Sequence, residues 1–137
     1  MIDKILLVED DPIAVMLCKS VISRQGVVRN IETARDGQKA LDYYQSLLDE
    51  NANSGQLLFP ELILLDLNMP VMGGWEFLDV FLKKYFAYCK NTRVVILSSS
   101  IVPEDEERAR DYDIVVDFLS KPIRKDHLSK MLGYLNH

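Results

Sequence analysis

The sequence predicts a doubly wound α/β fold, in which helices cover both faces of a parallel sheet. Segments with helical periodicity alternate with short apolar segments, and this alternation indicates right-handed βαβ units. Four of the apolar segments are nearly continuous runs of Val, Ile and Leu, as is typical of strands buried on both faces. They are Lys4–Val8, Leu62–Leu65, Arg93–Leu97 and Ile114–Leu119.

A fifth strand is predicted at Val28–Thr33, where apolar and polar residues alternate as in an edge strand that meets water. The helix before it is expected to begin at Asp11 and Pro12, an acidic N-cap followed by proline at the first helical position. Gly26 is placed to end this helix. We expect its apolar face to consist of Ile13, Met16, Leu17, Ser20 and Val21.

The second and third helices follow the turns Asp36-Gly37 and Gly73-Gly74, and each carries one apolar stripe. The stripes are Ala40, Leu41, Tyr44, Leu47 and Leu48 in one helix, and Phe77, Leu78, Phe81, Leu82 and Tyr85 in the other. The fourth helix, near Pro103–Asp111, is short and highly charged. The last helix carries the apolar residues Leu128, Met131, Leu132 and Leu135. The polar stretch at 51–59, before the third strand, is predicted to be an extended loop.

Composition excludes several function classes. The chain has 137 residues, which suits one domain with one core, and a formal net charge of −5. An acidic domain is a poor candidate for nucleic-acid binding, which needs a basic face. No apolar run approaches the about 20 residues that span a bilayer, and the start MIDKILLVEDD lacks a signal-peptide pattern. We therefore expect a cytoplasmic protein with no nucleic-acid and no membrane partner.

The cysteines and histidines show no metal-binding spacing. Cys18 and Cys89 lie in helix-like segments without a CxxC pattern, and we expect them to be buried thiols. His127 and His137 have no partner at ligand spacing, and we expect both to lie on the surface near the C-terminus.

Polar side chains follow four of the five predicted strands at their ends. They are Glu9, Asp10, Asp11, Asp66, Ser98, Ser99, Ser100 and Lys121. In open parallel sheets, ligands bind outside the carboxyl ends of the strands. Converging carboxylates raise each other's pKa unless a cation compensates, and one lysine does not balance three acids. Oxygen-only ligands favour Mg²⁺, which usually works with phosphate.

Asp66 is the candidate nucleophile of this site, because it ends the most apolar strand. A carboxylate can attack phosphorus and form an acyl phosphate. A metal ion and Lys121 would neutralise charge on the transferring group, which is most of what phosphoryl transfer requires.

The segments VEDDP, LLDLNMPVMGGWEFL, VVILSSS and FLSKPI, in this order and spacing, resemble a response-regulator receiver domain. The chain is similar to the stand-alone type, of which the chemotaxis response regulator is an example. The resemblance implies a five-stranded parallel sheet in order 2-1-3-4-5 within a flavodoxin-like three-layer sandwich. It also implies a single receiver domain over residues 1–137, without an output domain.

By this resemblance Asp66 is the phosphoacceptor and, with Asp10, a direct ligand of Mg²⁺. Asn68 would contribute its backbone carbonyl to the metal, and Glu9 would act through water. Lys121 would pair with the phosphoryl group.

The resemblance also implies a switch. Ser98 is the hydroxyl that moves toward the phosphoryl group, and Phe118 is the aromatic residue whose ring turns inward when Ser98 moves. The bond between Lys121 and Pro122 is expected to be cis.

The implied function is a phosphorylation-dependent switch in a two-component phosphorelay. Asp66 would receive its phosphoryl group from a sensor histidine kinase or a phosphotransfer protein. The signal would leave by protein–protein contact through the fourth helix, fifth strand and fifth helix, or the domain would pass its phosphoryl group onward. Such a domain is not a turnover enzyme, and at most it catalyses its own phosphotransfer and autodephosphorylation.

Three alternatives remain open from the residues. A hydrolase of the aspartyl-phosphate type would carry a second Asp where this chain has Asn68. An FMN-binding flavodoxin would need Ser, Thr and Gly after the first strand, where this chain has three acids. A receiver that works unphosphorylated, as an interaction module, is disfavoured by the intact set of acids and lysine. Two departures from the family pattern are Gly73, where Asp or Asn is common, and Ser98 in place of Thr.

Overall fold

The computed structural model describes residues 2–51 and 59–135, apart from the side chain of residue 51. The strands are β1 (Ile2–Val8), β2 (Val28–Ala34), β3 (Leu62–Leu65), β4 (Arg93–Ser98) and β5 (Val115–Ser120). The helices are α1 (Pro12–Gln25), α2 (Gly37–Asn51), α3 (Gly74–Lys84), α4 (Pro103–Ala109) and α5 (Lys125–Leu135), and a 3₁₀ turn (Phe86–Tyr88) follows α3. Most of the loop predicted at 51–59 lies outside the described residues.

The five strands form one parallel sheet in the order β2-β1-β3-β4-β5. This confirms the predicted fold and strand order. All four residues of β3 are buried, which explains why this central strand is continuously apolar. Among the described residues, no helix is both long enough and apolar enough to cross a membrane.

The sheet separates two core layers, because successive side chains of each strand point to opposite faces. On one face, Leu6, Val8, Ile63 and Leu65 pack with the buried stripes of α2 and α3. On the other face, Ile5, Leu7, Leu62 and Leu64 pack with α1 and α5. The residues of the apolar stripes predicted for α2, α3 and α5 are buried or half-buried as predicted, and most of them pack in these two layers.

The apolar face predicted for α1 is wrong at three of its five residues, while Val21 is half-buried and packs against the core as predicted. Ile13, Met16 and Leu17 are 63%, 62% and 50% exposed, and the helix instead buries Cys18 and Ile22 against the sheet. The first turns of α1 are apolar all round, so periodicity alone does not select a face. The buried face is determined by how α1 packs across the sheet.

The ends of α1 are as predicted. The Asp11 side chain accepts a hydrogen bond from the Ile13 N–H at 2.9 Å. Gly26 ends the helix in the left-handed region at φ 63°, where a residue without Cβ is favoured.

The surface position predicted for His127 is also wrong, since this side chain is only 5% exposed. Its Nδ1 accepts a hydrogen bond from the N–H of Arg124 at 3.0 Å, just before α5 begins at Lys125. His127 therefore caps the start of α5 by accepting from the backbone N–H of Arg124, which has no partner within the helix. The absence of a second ligand at metal-binding spacing does not reveal this role. His137 lies outside the described residues. Both thiols are buried as predicted, and burial raises the pKa of Cys18 to about 12 and that of Cys89 to about 11.

Candidate functional site

The carboxyl ends of β1, β3, β4 and β5 bring the predicted site residues to one edge of the sheet. Parallel pairing aligns Val8 with Leu65 and Leu65 with Ile96, so the residues that follow these strands lie side by side. Backbone bonds continue the ladder beyond the strands. The Asp66 N–H donates to the Val8 carbonyl at 3.0 Å, and the Lys121 N–H donates to the Ser98 carbonyl at 2.8 Å.

Three carboxylates converge at this edge. One oxygen each from Glu9, Asp10 and Asp66 lies within 4.8 Å of the others. Glu9 and Asp66 are buried, whereas Asp10 is exposed. An oxygen-only donor set that is open to water on one side suits a hard divalent cation such as Mg²⁺. The residues present therefore fit the metal that the family resemblance implies.

Lys121 supplies positive charge to this cluster. Its Nζ bonds to Oε1 of Glu9 and lies 3.5 Å from Oδ1 of Asp66. Burial lowers the pKa of Lys121, but the hydrogen bond to Glu9 and the two carboxylate charges outweigh burial, so its pKa is raised overall. Lys121 is thus held protonated beside Asp66.

The charge at the cluster is not balanced by Lys121 alone. Burial raises the pKa of the Asp66 carboxyl, and the charge of Lys121 and a hydrogen bond from the Asn68 N–H oppose this only in part. Burial likewise raises the pKa of Glu9. Three carboxylates against one ammonium leave an excess of negative charge that a divalent cation would neutralise. The role of the Asn68 carbonyl as a ligand stays a prediction.

The Ser98 hydroxyl is engaged with the loop that follows β4. Ser98 is 1% exposed, and its Oγ donates a hydrogen bond to the Ser100 carbonyl at 2.6 Å. The Ser100 N–H in turn approaches the same Oγ at 3.3 Å. The loop between β4 and α4 therefore holds the hydroxyl in place.

Phe118 is half-buried on β5 and packs against the core layer that includes Ala109 and Ile114. The Lys121–Pro122 bond, which follows β5, is cis as predicted. Whether Phe118 moves with Ser98 stays a prediction, since one conformation of each is present.

The loop between β3 and α3 packs closely against Asp66. A Cβ at Gly74 would lie 2.7 Å from the Asp66 carbonyl oxygen and 2.9 Å from Cα of Leu67, so only glycine fits there. The Gly74 N–H also donates to the Leu67 carbonyl at 3.0 Å. Sequence patterns indicated Gly74 as a helix start, but they did not show that the start of α3 rests on the backbone of Asp66.

An apolar groove of about 290 Å³ adjoins the cluster, and sequence reasoning missed it. Ile13, Leu17, Pro122 and Ile123 are among the apolar residues that line it, and Glu9 and Lys121 lie at its polar part. The sequence feature that indicates this groove is the run of apolar residues in the first turns of α1, which the predicted core face does not distinguish from a surface lining.

The chain belongs to the response regulator receiver domain family, whose sequence model matches residues 5–133. It is 35% identical to the probable methanogenesis regulatory protein FilR2 of Methanothrix harundinacea, over 92% of this chain and 76% of that protein. It is 30% identical to the cell cycle response regulator CtrA of Brucella ovis, over 91% of this chain but 46% of that protein. The chain thus spans less than half the length of CtrA.

Among solved structures, a two component response regulator from Cytophaga hutchinsonii superimposes with a TM-score of 0.85 at 31% identity. The match covers 99% of this chain and 98% of that one. The family and the acidic cluster together define a receiver domain of phosphorylation-dependent two-component signalling, a switch of the kind that interacts with histidine kinases or phosphotransfer proteins.

Proposed function

We propose that Asp66 is the residue that accepts the phosphoryl group, with Mg²⁺ held by Asp10, Asp66 and the Asn68 carbonyl and steadied by Glu9 through water. The observation that carries this proposal is the convergence of Glu9, Asp10 and Asp66 within 4.8 Å, with Lys121 against two of them. A purely structural sheet edge would not bury two carboxylates, Glu9 and Asp66, beside a third.

In the proposed transfer, a carboxylate oxygen of Asp66 attacks the phosphorus of a phosphohistidine. The new P–O bond forms as the P–N bond breaks, and the imidazole leaves with the electron pair and takes up a proton. Lys121 lies near enough to Asp66 to contact an oxygen of the incoming group and neutralise part of its charge. Bound Mg²⁺ would supply the remaining positive charge.

The switch is emptied by hydrolysis of the acyl phosphate: water attacks phosphorus, the P–O bond to Asp66 breaks, Asp66 leaves as a carboxylate, and inorganic phosphate is released. We include this autodephosphorylation in the proposal, because Lys121 and bound Mg²⁺ would neutralise charge on the phosphoryl group in the loading reaction and in hydrolysis alike. The result is a switch that is loaded and emptied, with no other substrate.

The switch step would begin at Ser98. To bond a phosphoryl oxygen on Asp66, the Ser98 hydroxyl must leave the Ser100 carbonyl that now accepts its hydrogen bond. We propose that this movement lets Phe118 turn inward and shifts a pre-existing equilibrium of the face formed by α4, β5 and α5. That face would then meet an output protein in the cytoplasm, where ATP-dependent phosphorylation of histidine takes place.

We further propose that the phosphodonor docks on α1. Ile13 and Leu17 are large apolar side chains that α1 leaves exposed, and both line the groove that ends at Glu9 and Lys121. An apolar helix face of the donor protein seated there would place its phosphohistidine at the acidic cluster.

Intact mass after incubation with Mg²⁺ and acetyl phosphate tests the proposal. We expect one added phosphoryl group on the wild type, and none on Asp66→Asn or in the presence of EDTA. A wild-type protein that is folded and gains no phosphoryl group would count against it.

A further inference from the structure

Trp75, at the start of α3, reaches across to the segment that carries α4. Its indole Nε1–H donates a hydrogen bond to Oδ1 of Asp105 at 3.1 Å. Its ring stacks on Tyr112 with centroids 5.3 Å apart and an interplanar angle of 21°. The guanidinium of Arg108 lies 4.9 Å from the centroid of the same ring. One side chain of α3 therefore contacts α4 near its beginning, near its end and just beyond it.

Asp79, one turn further along α3, adds a second contact. It accepts a hydrogen bond from the Tyr112 hydroxyl at 2.7 Å, and the Arg108 guanidinium approaches it at 3.9 Å. The Arg108–Asp79 pair is exposed and contributes little by itself. Together with Trp75, however, it makes a continuous polar and aromatic contact between α3 and α4.

The helix α4 has few other anchors. Within Pro103–Ala109, all of which the structure describes, Ala109 is the buried residue. The N-cap Val102 provides no side-chain hydrogen bond, and the first turn carries three acidic residues. A helix with so little apolar burial is expected to open locally at lower free energy than the core. The contacts with Trp75 and Asp79 therefore add to the few others that hold α4 in place, namely the burial of Ala109 and the contact with β5.

Both sides of this contact are joined to the proposed switch. On the α3 side, Trp75 follows Gly74, whose backbone packs against the Asp66 carbonyl. On the α4 side, Asp105 follows the loop in which the Ser100 carbonyl accepts the Ser98 hydrogen bond. If Ser98 moves toward Asp66 as proposed, it releases the Ser100 carbonyl, and the loop that leads to Asp105 would then be free to shift and strain the Trp75–Asp105 hydrogen bond.

We infer that the Trp75–Asp105 hydrogen bond is a latch that holds α4 against α3 in the unphosphorylated protein and opposes the active arrangement. The inference rests on the proposed function of Asp66 and Ser98. It assigns a regulatory role to a residue outside the phosphorylation site. Opening the latch shifts the equilibrium of α4 without altering any group of the acidic cluster.

Amide hydrogen exchange of the unphosphorylated protein tests the latch without any phosphodonor. In Asp105→Ala we expect the amides of α4 to exchange about tenfold faster, because a hydrogen bond to a charged acceptor is lost. Amides of α1 and α5 should keep their protection. The matched control is Glu104→Ala, which also removes an acid from the first turn of α4 but leaves the Trp75 contact intact. Equal exchange in the two variants would overturn the latch, and so would a loss of protection spread over all helices.

The rate of phosphorylation by acetyl phosphate with Mg²⁺ tests the coupling to Asp66. Trp75→Phe keeps the ring on Tyr112 and removes the indole donor. We expect this variant and Asp105→Ala to be phosphorylated about threefold or more faster than the wild type and Glu104→Ala, because they populate the active arrangement more often. Unchanged rates in both would overturn the coupling. If no protein accepts phosphate, the proposed function of Asp66 fails, while the exchange result still decides whether the latch exists.

Discussion

The Nζ of Lys121 lies 3.5 Å from Oδ1 of Asp66 while it also bonds to Glu9. One ammonium is thus shared between two buried carboxylates, and the pKa of the Asp66 carboxyl remains raised by burial. A shared counter-charge of this kind leaves Asp66 short of positive charge until a divalent cation binds.

Replacing Lys121 should slow phosphorylation of Asp66. In Lys121→Met we expect the rate with acetyl phosphate to fall by about 10²-fold, the range seen when one preorganised charge-stabilising donor is removed. Circular dichroism should show a folded protein. A rate within twofold of the wild type, measured by intact mass over time, would mean that Lys121 only balances charge in the resting state.

Mg²⁺ should stabilise the fold, because it relieves the repulsion among Glu9, Asp10 and Asp66. At a Mg²⁺ concentration ten times the dissociation constant, the free energy of unfolding should rise by about 1.4 kcal/mol. Asp10→Asn should be more stable than the wild type in EDTA, since one like charge is gone, but should gain much less from Mg²⁺. Urea denaturation with and without Mg²⁺ measures both effects. An equal gain in wild type and variant would place the metal elsewhere.

His127 should make the stability depend on pH. Burial, followed by the charge of Arg124, lowers the pKa of His127 from its ordinary 6.5, with Lys130 acting in the same direction and Asp126 and Asp117 against it. Because the unfolded chain then binds the proton first, the free energy of unfolding should fall as the pH drops from about 6.5 through the lowered pKa. The slope from this one group is at most about 1.4 kcal/mol per pH unit.

His127→Gln is the matched control for this titration. A glutamine at this position keeps an acceptor for the Arg124 N–H and does not titrate. Urea midpoints between pH 7.5 and pH 5.5 should therefore fall less steeply in the variant than in the wild type. Parallel pH profiles would assign the acid sensitivity to other groups.

Docking of the phosphodonor on α1 predicts a difference between two neighbouring exposed residues. Leu17 lines the groove beside Lys121, whereas Met16 is exposed on the same helix outside that lining. Leu17→Asp should slow phosphotransfer from the histidine kinase that loads the wild type by about tenfold, as for an apolar interface anchor. Met16→Asp should slow it much less, and both variants should react normally with acetyl phosphate. Equal loss in the two variants would exclude the groove as the docking site.

The fold and the acidic cluster could be predicted from the sequence because both depend on local patterns. Apolar runs mark β1, β3, β4 and β5, and the polar residues that follow them must meet at one edge of a parallel sheet. The buried face of α1 could not be predicted from the sequence. Ile13, Met16 and Leu17, which are exposed, are as apolar as the residues that the helix buries, so hydrophobicity does not distinguish the two faces.

Contacts between residues far apart in the chain also escaped prediction. The burial of His127 depends on how α5 begins after the Pro122 turn, and the Trp75–Asp105 hydrogen bond depends on where α4 lies relative to α3. Neither residue type nor spacing encodes these relations, since each arises from the packing of two elements. The hydrogen-bond partner of the Ser98 hydroxyl could not be predicted either, because a rotation about one side-chain bond would change it.

If Asp66 itself carries the phosphoryl group, chemical localisation of the modification will find it at that residue. Borohydride reduces an aspartyl phosphate to homoserine, so the phosphorylated and reduced protein can be digested and sequenced by tandem mass spectrometry. We expect homoserine at position 66, formed only with Mg²⁺ and absent in Lys121→Met at early times. Homoserine at position 10, or a stable phosphoester on Ser98 with position 66 unchanged, would contradict it.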